Sequence, residues 1–504
     1  MTRFHIITPR ATALAFAAIL GLMLMTNNTP AQTTTTQETP PPPAAPRSVT
    51  IPKPSERTLK NGLRVIVIED HDTTLVSSLM MVKNGGEVDP APLSGLADMT
   101  ASLLTKGTKT RTAPEIAQAI EALGGSINSG AGWDASRASV NVMSSKIEPA
   151  MAILADVVRN PVFKDEEIER LRQQNLDSLS VALRDPGALA GFVASRVVFG
   201  DTSYGHPLSG TPESLARMKR DDIAALHAKY YRPDNAILVI GGDIAADNAF
   251  KLAERAFGDW TKPAGALPSS AAAGLKDKTQ AGGSAPRIVV VDMPEAGQAA
   301  VVLTRYGISR TDPDYYRGIV SNSILSGYSG RLNQEIRIKR GLSYGARSSL
   351  DVRREVGPYT ASAQTKNPSG AEVASLLTGE LGRLATEAVL EAELTPRKAV
   401  LIGSFARSLE TTDGLVSQVA SRALYGLSLD EINDYIKSVQ SVTAADVQRF
   451  TGARLGAKES NIVIVGNSKE FIEALRKGFP NVEVIPLAAL DLNSATLRKA
   501  GETK

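Results

Sequence analysis

Residues 64–90 read RVIVIEDHDTTLVSSLMMVKNGGEVDP and residues 287–313 read RIVVVDMPEAGQAAVVLTRYGISRTDP, and the two stretches align without a gap. Each has a β-branched strand pattern, a short acidic turn, a second apolar strand pattern and a closing Asp-Pro. A later pair, ILVIGG at 237–242 and IVIVGN at 462–467, matches at nearly the same spacing. Two matches at one spacing indicate an internal duplication, so we predict two homologous repeats.

Length and composition place these repeats in separate domains. The chain has 504 residues, more than one hydrophobic core normally holds. Residues 263–285 are rich in Ala, Gly, Ser and Pro, as flexible linkers are. We therefore predict a domain at 55–262, a linker at 263–285, a second domain at 286–488 and a frayed tail at 489–504.

Strand and helix patterns alternate within the repeats, which predicts an α+β fold. Polar and apolar residues alternate over 126–142 as in a strand pair. Apolar spacing predicts helices at 112–123, 148–158, 166–183 and 215–229. The expected architecture is a mainly antiparallel sheet covered by helices, made twice.

The charge and the scarce residue types exclude several classes of protein. A net charge of +3 argues against a nucleic-acid binder, which normally carries a basic domain or stripe. Without cysteine there are no disulfides, thiolate zinc sites or cysteine nucleophiles. The four histidines, His5, His71, His206 and His227, are too far apart for a His-x-x-x-His pair on one helix. We expect His206 at the surface and His227 in a packing role at a helix end.

The N-terminus predicts export. Arg3 and Arg10 precede an apolar run at 11–25, which is shorter than the ~20 residues of a membrane span. Small residues up to Ala31 fit a signal peptidase site, which predicts a signal peptide at 1–31. A Pro/Thr-rich tether at 32–54 would follow, with no membrane span after cleavage. We expect a periplasmic location, and an uncleaved anchor is the alternative.

Five motifs in order give the chain a family resemblance. They are LKNGLRVIV at 59–67, GLADMTASLLTKGT at 95–108, LGGSIN at 123–128, YYRPDNAILVI at 230–240 and RLNQEIRIKRGLSY at 331–344. The set resembles the two-domain bacterial branch of the pitrilysin/insulinase family of zinc peptidases, and is also similar to mitochondrial processing peptidase subunits. The resemblance implies that two such subunits enclose a clam-shaped chamber, of which this chain would form half.

The family's zinc motif is replaced in this sequence. Active members carry His-x-x-Glu-His between Gly-Leu-Ala and Lys-Gly-Thr, because imidazoles at i and i+4 share one helix face and chelate zinc. Here those slots hold Asp98, Ala101 and Ser102, and the slot of the third ligand, a glutamate, holds Ser178. We therefore predict no metal and no catalytic residue in these slots. A weak hard-cation site using Asp98 and Asp177 is the disfavoured alternative.

The second repeat keeps the residue pair that the family uses to contact substrate. Arg337 and Tyr344 match the family's Arg/Tyr pair, with Gly341 expected to separate a helix carrying Arg337 from a strand carrying Tyr344. A tyrosine hydroxyl can donate to the oxyanion of a scissile carbonyl, and an arginine can hold substrate carbonyls. Outside this frame, the arginine would be part of a solvated basic patch and the tyrosine part of a sheet core.

The Gly/Ser-rich segment 326–330 matches a loop that contacts substrate in the family. An ordinary turn is the equal alternative for this segment.

The resemblance and the replaced slots together predict a non-catalytic subunit. We expect the chain to orient substrate in an exported heterodimeric zinc peptidase acting on peptides or unfolded proteins. The chain would be inactive alone, would hold no cofactor, and would pair with a homologous subunit that carries the zinc. The alternative is an assembly or peptide-binding protein of the same fold without a role in catalysis. A peptidase with an unexpected site is a third possibility, disfavoured by the missing histidine pair and cysteine.

Overall fold

The first repeat builds a six-stranded mixed sheet, the N-sheet, in the order β1-β2-β6-β3-β5-β4. Only β2 and β6 pair in parallel, and the other neighbours are antiparallel. The strands are β1 Ser55–Thr58, β2 Arg64–Glu69, β3 Leu75–Val82, β4 Ser126–Ala131, β5 Ser136–Met143 and β6 Ala236–Gly242. Strands β2, β3 and β6 are almost entirely buried, as expected for their continuous apolar sequences.

The second repeat builds the C-sheet in the order β12-β7-β11-β8-β10-β9. Its strands are β7 Ile288–Asp292, β8 Ala299–Tyr306, β9 Ala346–Leu350, β10 Pro358–Thr365, β11 Asn461–Gly466 and β12 Val482–Pro486. Five strands follow the order of the N-sheet, which confirms the repeated α+β architecture. The outermost strand is not repeated, because β1 precedes β2 and is antiparallel to it, whereas β12 ends its repeat and is parallel to β7.

The computed structural model describes residues 51–270, 272–275 and 285–501. All of them belong to one compact unit. The predicted signal peptide at 1–31 lies outside the described residues, as do most of the tether at 32–54 and part of the linker at 263–285. The domain boundaries within the unit stay predictions.

Helices surround both sheets. The main ones are α1 Leu96–Leu103, α2 Ala113–Glu121, α3 Ile147–Arg159, α4 Asp165–Ala182, α5 Pro186–Phe199, α6 Pro212–Arg217, α7 Arg220–Tyr230, α8 Ala246–Phe257, α9 Tyr315–Leu325, α10 Gly370–Thr386, α11 Glu391–Ser408, α12 Thr412–Leu424, α13 Glu431–Ser441, α14 Ala444–Arg454 and α15 Ile472–Gly478. Three of the predicted helices correspond to α2, α3 and α4. The one predicted at 215–229 is wrong in extent, because Met218 is extended and separates α6 from α7.

The sequence patterns gave no prediction for α5, although its start is well specified. Asp185 accepts a hydrogen bond from the Ala188 N–H at 2.7 Å, and Pro186 occupies the first turn, where no N–H is needed. Its leucine, valines and alanines do not pack on the N-sheet. Leu189, Val193 and Val197 instead share a core with strands β7, β8 and β11 of the C-sheet.

The second repeat makes the reciprocal contact, because its helix α12 packs on the N-sheet. Val416 and Val419 of α12 pack against Ile68 and Val239 on the N-sheet, in one buried cluster. The approach is close, since a Cβ added at Gly241 of β6 would lie 2.6 Å from Val416 Cγ2. Each sheet is therefore covered on one face by a helix from the other repeat.

The C-terminal segment also joins the two repeats, so the prediction of a frayed tail is wrong for residues 489–501. Leu497 is fully buried in the core that α5 shares with the C-sheet. The buried Arg196 of α5 donates to the Leu492 carbonyl at 3.0 Å, and Thr211 donates to Asn493 at 2.9 Å. These bonds hold the tail across the first repeat.

Among the described residues, no helix combines the length and the apolar character that crossing a membrane would require.

The helix exchange predicts that both sheets unfold together. We expect Leu189→Ala in α5 to destabilise the protein by about 2–5 kcal/mol, because it leaves a cavity in the C-sheet core. Hydrogen exchange should then accelerate in β3 of the N-sheet as well as in β8 of the C-sheet. Val181→Ala is the matched control, since Val181 is 71% exposed on α4. Two separate calorimetric transitions would contradict the coupling.

Candidate functional site

The vacated zinc slots lie on α1, whose start is fixed by a buried carboxylate. Asp89 accepts hydrogen bonds from the N–H groups of Gly95 and Ala97 at 2.7 and 2.8 Å. A carboxylate at this position satisfies two otherwise unpaired donors of the first turn and complements the helix dipole. The start of the helix that carries three of the predicted slots is therefore fixed by a carboxylate of the same repeat.

The side chains in the slots of α1 do not form a zinc ligand set. Ala101 is a fully buried methyl, and Ser102 offers only a half-buried hydroxyl. Asp98 is half-buried and accepts a hydrogen bond from the Ala131 N–H of β4, while its burial raises the pKa of the carboxyl group above the usual value. Asp98 supplies one desolvated carboxylate, and Ala101 and Ser102 supply no imidazole. These three side chains do not make up the ligand set that zinc requires.

The fourth slot, on α4, is also occupied by a group engaged elsewhere. Ser178 is exposed and donates to the Gln174 carbonyl of its own helix at 2.9 Å. Its neighbour Asp177 accepts from Gln173 at 2.9 Å. Within residues 51–270, 272–275 and 285–501, no three His, Asp or Glu side chains are placed to hold a metal ion. The absence of a metal from the predicted slots stays a prediction.

Of the three histidines in the described chain, His206 and His227 have structural environments, whereas His71 is exposed and lies 2.8 Å from Asp243. The expectation that His206 lies at the surface is wrong: it is 4% exposed and packs against Trp133, with Nδ1 2.9 Å from the Pro207 carbonyl. His227 has the predicted packing role. It stacks on Tyr231 with ring centroids 4.5 Å apart, and burial lowers the pKa of its imidazole to about 4.

The segment carrying Arg337 is a π-helix, Asn333–Ile338, a rare geometry that often marks functional positions. Glu335 of this helix binds Lys339 and Arg340, at 2.8 and 2.7 Å. Among the described residues, Arg337 has no carboxylate partner, and its guanidinium lies over the Tyr328 ring at 5.2 Å from the centroid. The basic patch is thus divided, because Lys339 and Arg340 share the Glu335 carboxylate and Arg337 has no ion-pair partner among the described residues.

Tyr344 lies in a loop before β9, so the expected strand position is wrong. The loop begins at Gly341, whose φ of +64° is the left-handed conformation predicted for the break. Ser343 Oγ donates to the Gly345 carbonyl at 2.7 Å and closes a tight turn around the tyrosine. Tyr344 is 92% exposed, which also excludes the sheet-core alternative.

Tyr344 lines an open groove of about 600 Å³ between α5 and the C-sheet. Small residues of α5 form one wall and polar residues of β10 form the other; they include Gly187, Gly191, Ser195, Thr360, Ser362 and Gln364. Arg337 and the four zinc slots are not part of the lining. The structure thus places Tyr344 in the groove, Arg337 in the preceding helix, and the slots on the first repeat.

Sequence reasoning missed the residue that holds the two loops of this site together. Asn333 is 3% exposed; its Nδ2 donates to the Tyr328 carbonyl at 2.5 Å, and its Oδ1 accepts from the Ala346 N–H at 3.4 Å. The segment 326–330, predicted as a substrate loop or an ordinary turn, is thereby tied to the start of β9. The only signal in the sequence was that Asn333 is a polar residue inside the family motif at 331–344.

Comparison with known families and proteins gives matches along most of the chain. The family described as "Insulinase (Peptidase family M16)" matches residues 64–203, and "Peptidase M16 inactive domain" matches residues 217–401. An uncharacterized zinc protease of Streptomyces coelicolor is 26% identical over 412 residues, covering 81% of this chain and 88% of the relative. A probable mitochondrial-processing peptidase subunit beta of Schizosaccharomyces pombe is 24% identical and covers 84% and 94%.

Solved structures agree with these matches. A structure from Pseudomonas fluorescens, described as a peptidase M16 inactive domain, has a TM-score of 0.74 and 26% identity, covering 82% of this chain and 98% of that one. A protease from Helicobacter pylori has a TM-score of 0.75 at 21% identity, covering 82% and 100%, which shows a common fold. With two repeats, two matching family descriptions and these relatives, the chain belongs to the M16 insulinase/pitrilysin family of peptidases.

Proposed function

We propose that this protein is the non-catalytic, substrate-orienting subunit of an exported heterodimeric zinc metallopeptidase that acts on peptides or unfolded proteins. The observation that carries the proposal is an asymmetry between the repeats. The zinc slots of the first repeat hold side chains that cannot chelate zinc. In the second repeat, Tyr344 is almost fully exposed and Arg337 has no carboxylate partner in the described chain.

The groups in the slots argue against peptide hydrolysis by this chain alone. A zinc peptidase needs ligands that hold the metal and a base that takes a proton from the attacking water. Ala101 stands where that base would be and offers no acceptor. Ser178 donates its hydroxyl to its own helix. The zinc of the proposed complex therefore belongs to the partner subunit, where it would activate water.

The second repeat retains groups suited to holding a peptide. Tyr344 presents a phenol hydroxyl beside the groove, and such a donor stabilises the oxyanion that forms as an amide is attacked. The guanidinium of Arg337 can hold two carbonyl oxygens at once. Because Glu335 pairs with Lys339 and Arg340 instead, Arg337 keeps its donors for an external acceptor.

The partner is proposed to be a homologous subunit with an intact zinc motif. One relative is named as the beta subunit of a mitochondrial-processing peptidase, which supports an assembly of related subunits. Apart from Arg347, the residues that line the groove are uncharged and many are small, which suits an extended backbone better than a charged small molecule. No nucleic acid is expected, given the net charge of +3.

The catalytic contribution is tested by supplying the partner. In a complex with a homologous subunit that carries an intact zinc motif, Tyr344→Phe should reduce kcat by about 10²–10³-fold, because one oxyanion donor is lost. Arg337→Ala should also reduce activity, whereas Lys339→Ala, which removes a cation paired with Glu335, should leave it nearly unchanged. Full activity of both variants in an intact complex would instead support the alternative, an assembly protein without a catalytic role.

Zinc binding provides an independent test on the isolated protein. The purified chain should contain no stoichiometric zinc by elemental analysis and should not cleave unfolded peptides. Asp98→His, Ala101→Glu, Ser102→His and Ser178→Glu together should create a site for one zinc ion, because α1 and α4 still pack together through Met99 and Asn175. The same variant with Ser178 retained should bind zinc more weakly. Stoichiometric zinc with peptidase activity in the unmodified chain would refute the proposal.

Export is tested by fractionation. Expressed in a Gram-negative host, the mature protein should accumulate in the periplasm with Gln32 as its first residue. Retention of residues 1–31 on a membrane-associated form would support the uncleaved anchor.

A further inference from the structure

A second cavity lies away from the groove, among the helices α9, α11, α12 and α13 of the second repeat. Its volume is about 270 Å³, close to the size of a small ligand. The residues that line it are Arg310, Tyr315, Leu401, Ser404, Phe405, Ser408, Gln418, Ser421, Arg422 and Tyr435. Two arginines are the only charged residues in this lining, and the described chain contributes no carboxylate to it.

Both arginines are buried. Arg310 is 7% exposed and Arg422 is 3% exposed, so bulk water solvates neither guanidinium well. Burial lowers the pKa of Arg422 below its usual value, as expected when a cation is desolvated without full compensation.

One carboxylate serves both cations. Glu431 lies behind the lining and accepts from Arg310 Nη2 through both oxygens, at 2.8 and 2.7 Å. The same carboxylate lies 3.1 Å from Arg422 Nε and accepts from the Tyr316 hydroxyl at 2.7 Å. One negative charge therefore faces two positive charges, and one of the two cations is left without a counterion of its own.

Arg422, which lines the cavity, keeps an unpaired donor. Arg422 Nη1 donates to the carbonyl and the side-chain oxygen of Gln418, each at 2.9 Å. Arg422 Nη2 has no hydrogen-bond acceptor among the described residues. Ser404, Ser408 and Ser421 add hydroxyls to the same walls. An excess buried charge surrounded by donors is costly unless an anion completes it.

We propose that this cavity is a binding site for a small tetrahedral oxyanion of the phosphate or sulfate type. Two guanidiniums from different segments and the hydroxyls of Ser404 and Ser421 supply donors from several sides, which suits a tetrahedral anion better than a planar carboxylate. The stacked rings of Phe405 and Tyr435, with centroids 4.0 Å apart, form a rigid floor beside the charges. The site is separate from Arg337 and Tyr344 and does not depend on the proposed function.

The probe is inorganic phosphate, which is titrated into the purified protein and followed by calorimetry. Chloride is replaced by phosphate so that the ionic strength stays constant. Phosphate should bind at one site per chain and raise the melting temperature, because it binds only the folded state. Arg422→Met should weaken binding by about tenfold or more. Acetate, the planar control, should bind more weakly than phosphate, and equal binding of acetate would overturn the tetrahedral assignment.

A second variant separates anion binding from stability. Ser404 is exposed at the mouth of the cavity, so Ser404→Glu supplies the missing carboxylate without disturbing the core. This variant should melt at a higher temperature than wild type without phosphate and should no longer respond to it. Ser404→Gln, of the same size without the charge, should keep the response. No phosphate binding by wild type, or equal binding by Ser404→Glu and Ser404→Gln, would overturn the proposal.

Discussion

The structure depends on an exchange of helices between its two repeats. The face of the C-sheet formed by Val289, Val302 and Val463 is covered by α5 of the first repeat. The face of the N-sheet that includes Ile68 and Val239 is covered by α12 of the second repeat. Burial of these apolar surfaces is the main favourable term in folding, so neither repeat completes its core alone. The docked C-terminal segment adds a third connection across the same boundary.

The exchange also shapes the groove beside Tyr344. One side of α5 carries the leucine and valines that pack on the C-sheet, while Gly187, Gly191 and Ser195 face the groove. Small residues leave room between the helix and β10 that larger side chains would fill. The same helix therefore joins the two repeats and forms a wall of the site.

The distribution of buried charge separates stabilising contacts from candidate sites. Between the repeats, Asp134 accepts from Tyr204 at 2.5 Å, from Tyr425 at 3.1 Å and from the Arg354 N–H at 2.7 Å, so this carboxylate is fully satisfied. At the exposed site, Glu335 pairs with two cations and leaves Arg337 unpaired. In the second cavity, Glu431 cannot balance two buried guanidiniums. Charges left unbalanced in an otherwise compensated structure are where an external partner is expected.

The repeat, the α+β class, the helices α2 to α4 and the family could be predicted from the sequence, because each depends on local periodicity or on motifs in order. The same motifs predict roles for Arg337 and Tyr344 and a lost metal site at Asp98, Ala101, Ser102 and Ser178, and these assignments stay predictions. Three features became visible only in the folded chain. They are the C-sheet surface that α5 covers, the docked C-terminal segment and the position of Tyr344 in a loop. The ion-pair partners of the arginines are also visible only in the folded chain, since pairs such as Arg310 with Glu431 lie far apart in sequence. Local patterns record how a segment folds, whereas partners across the fold are set by packing.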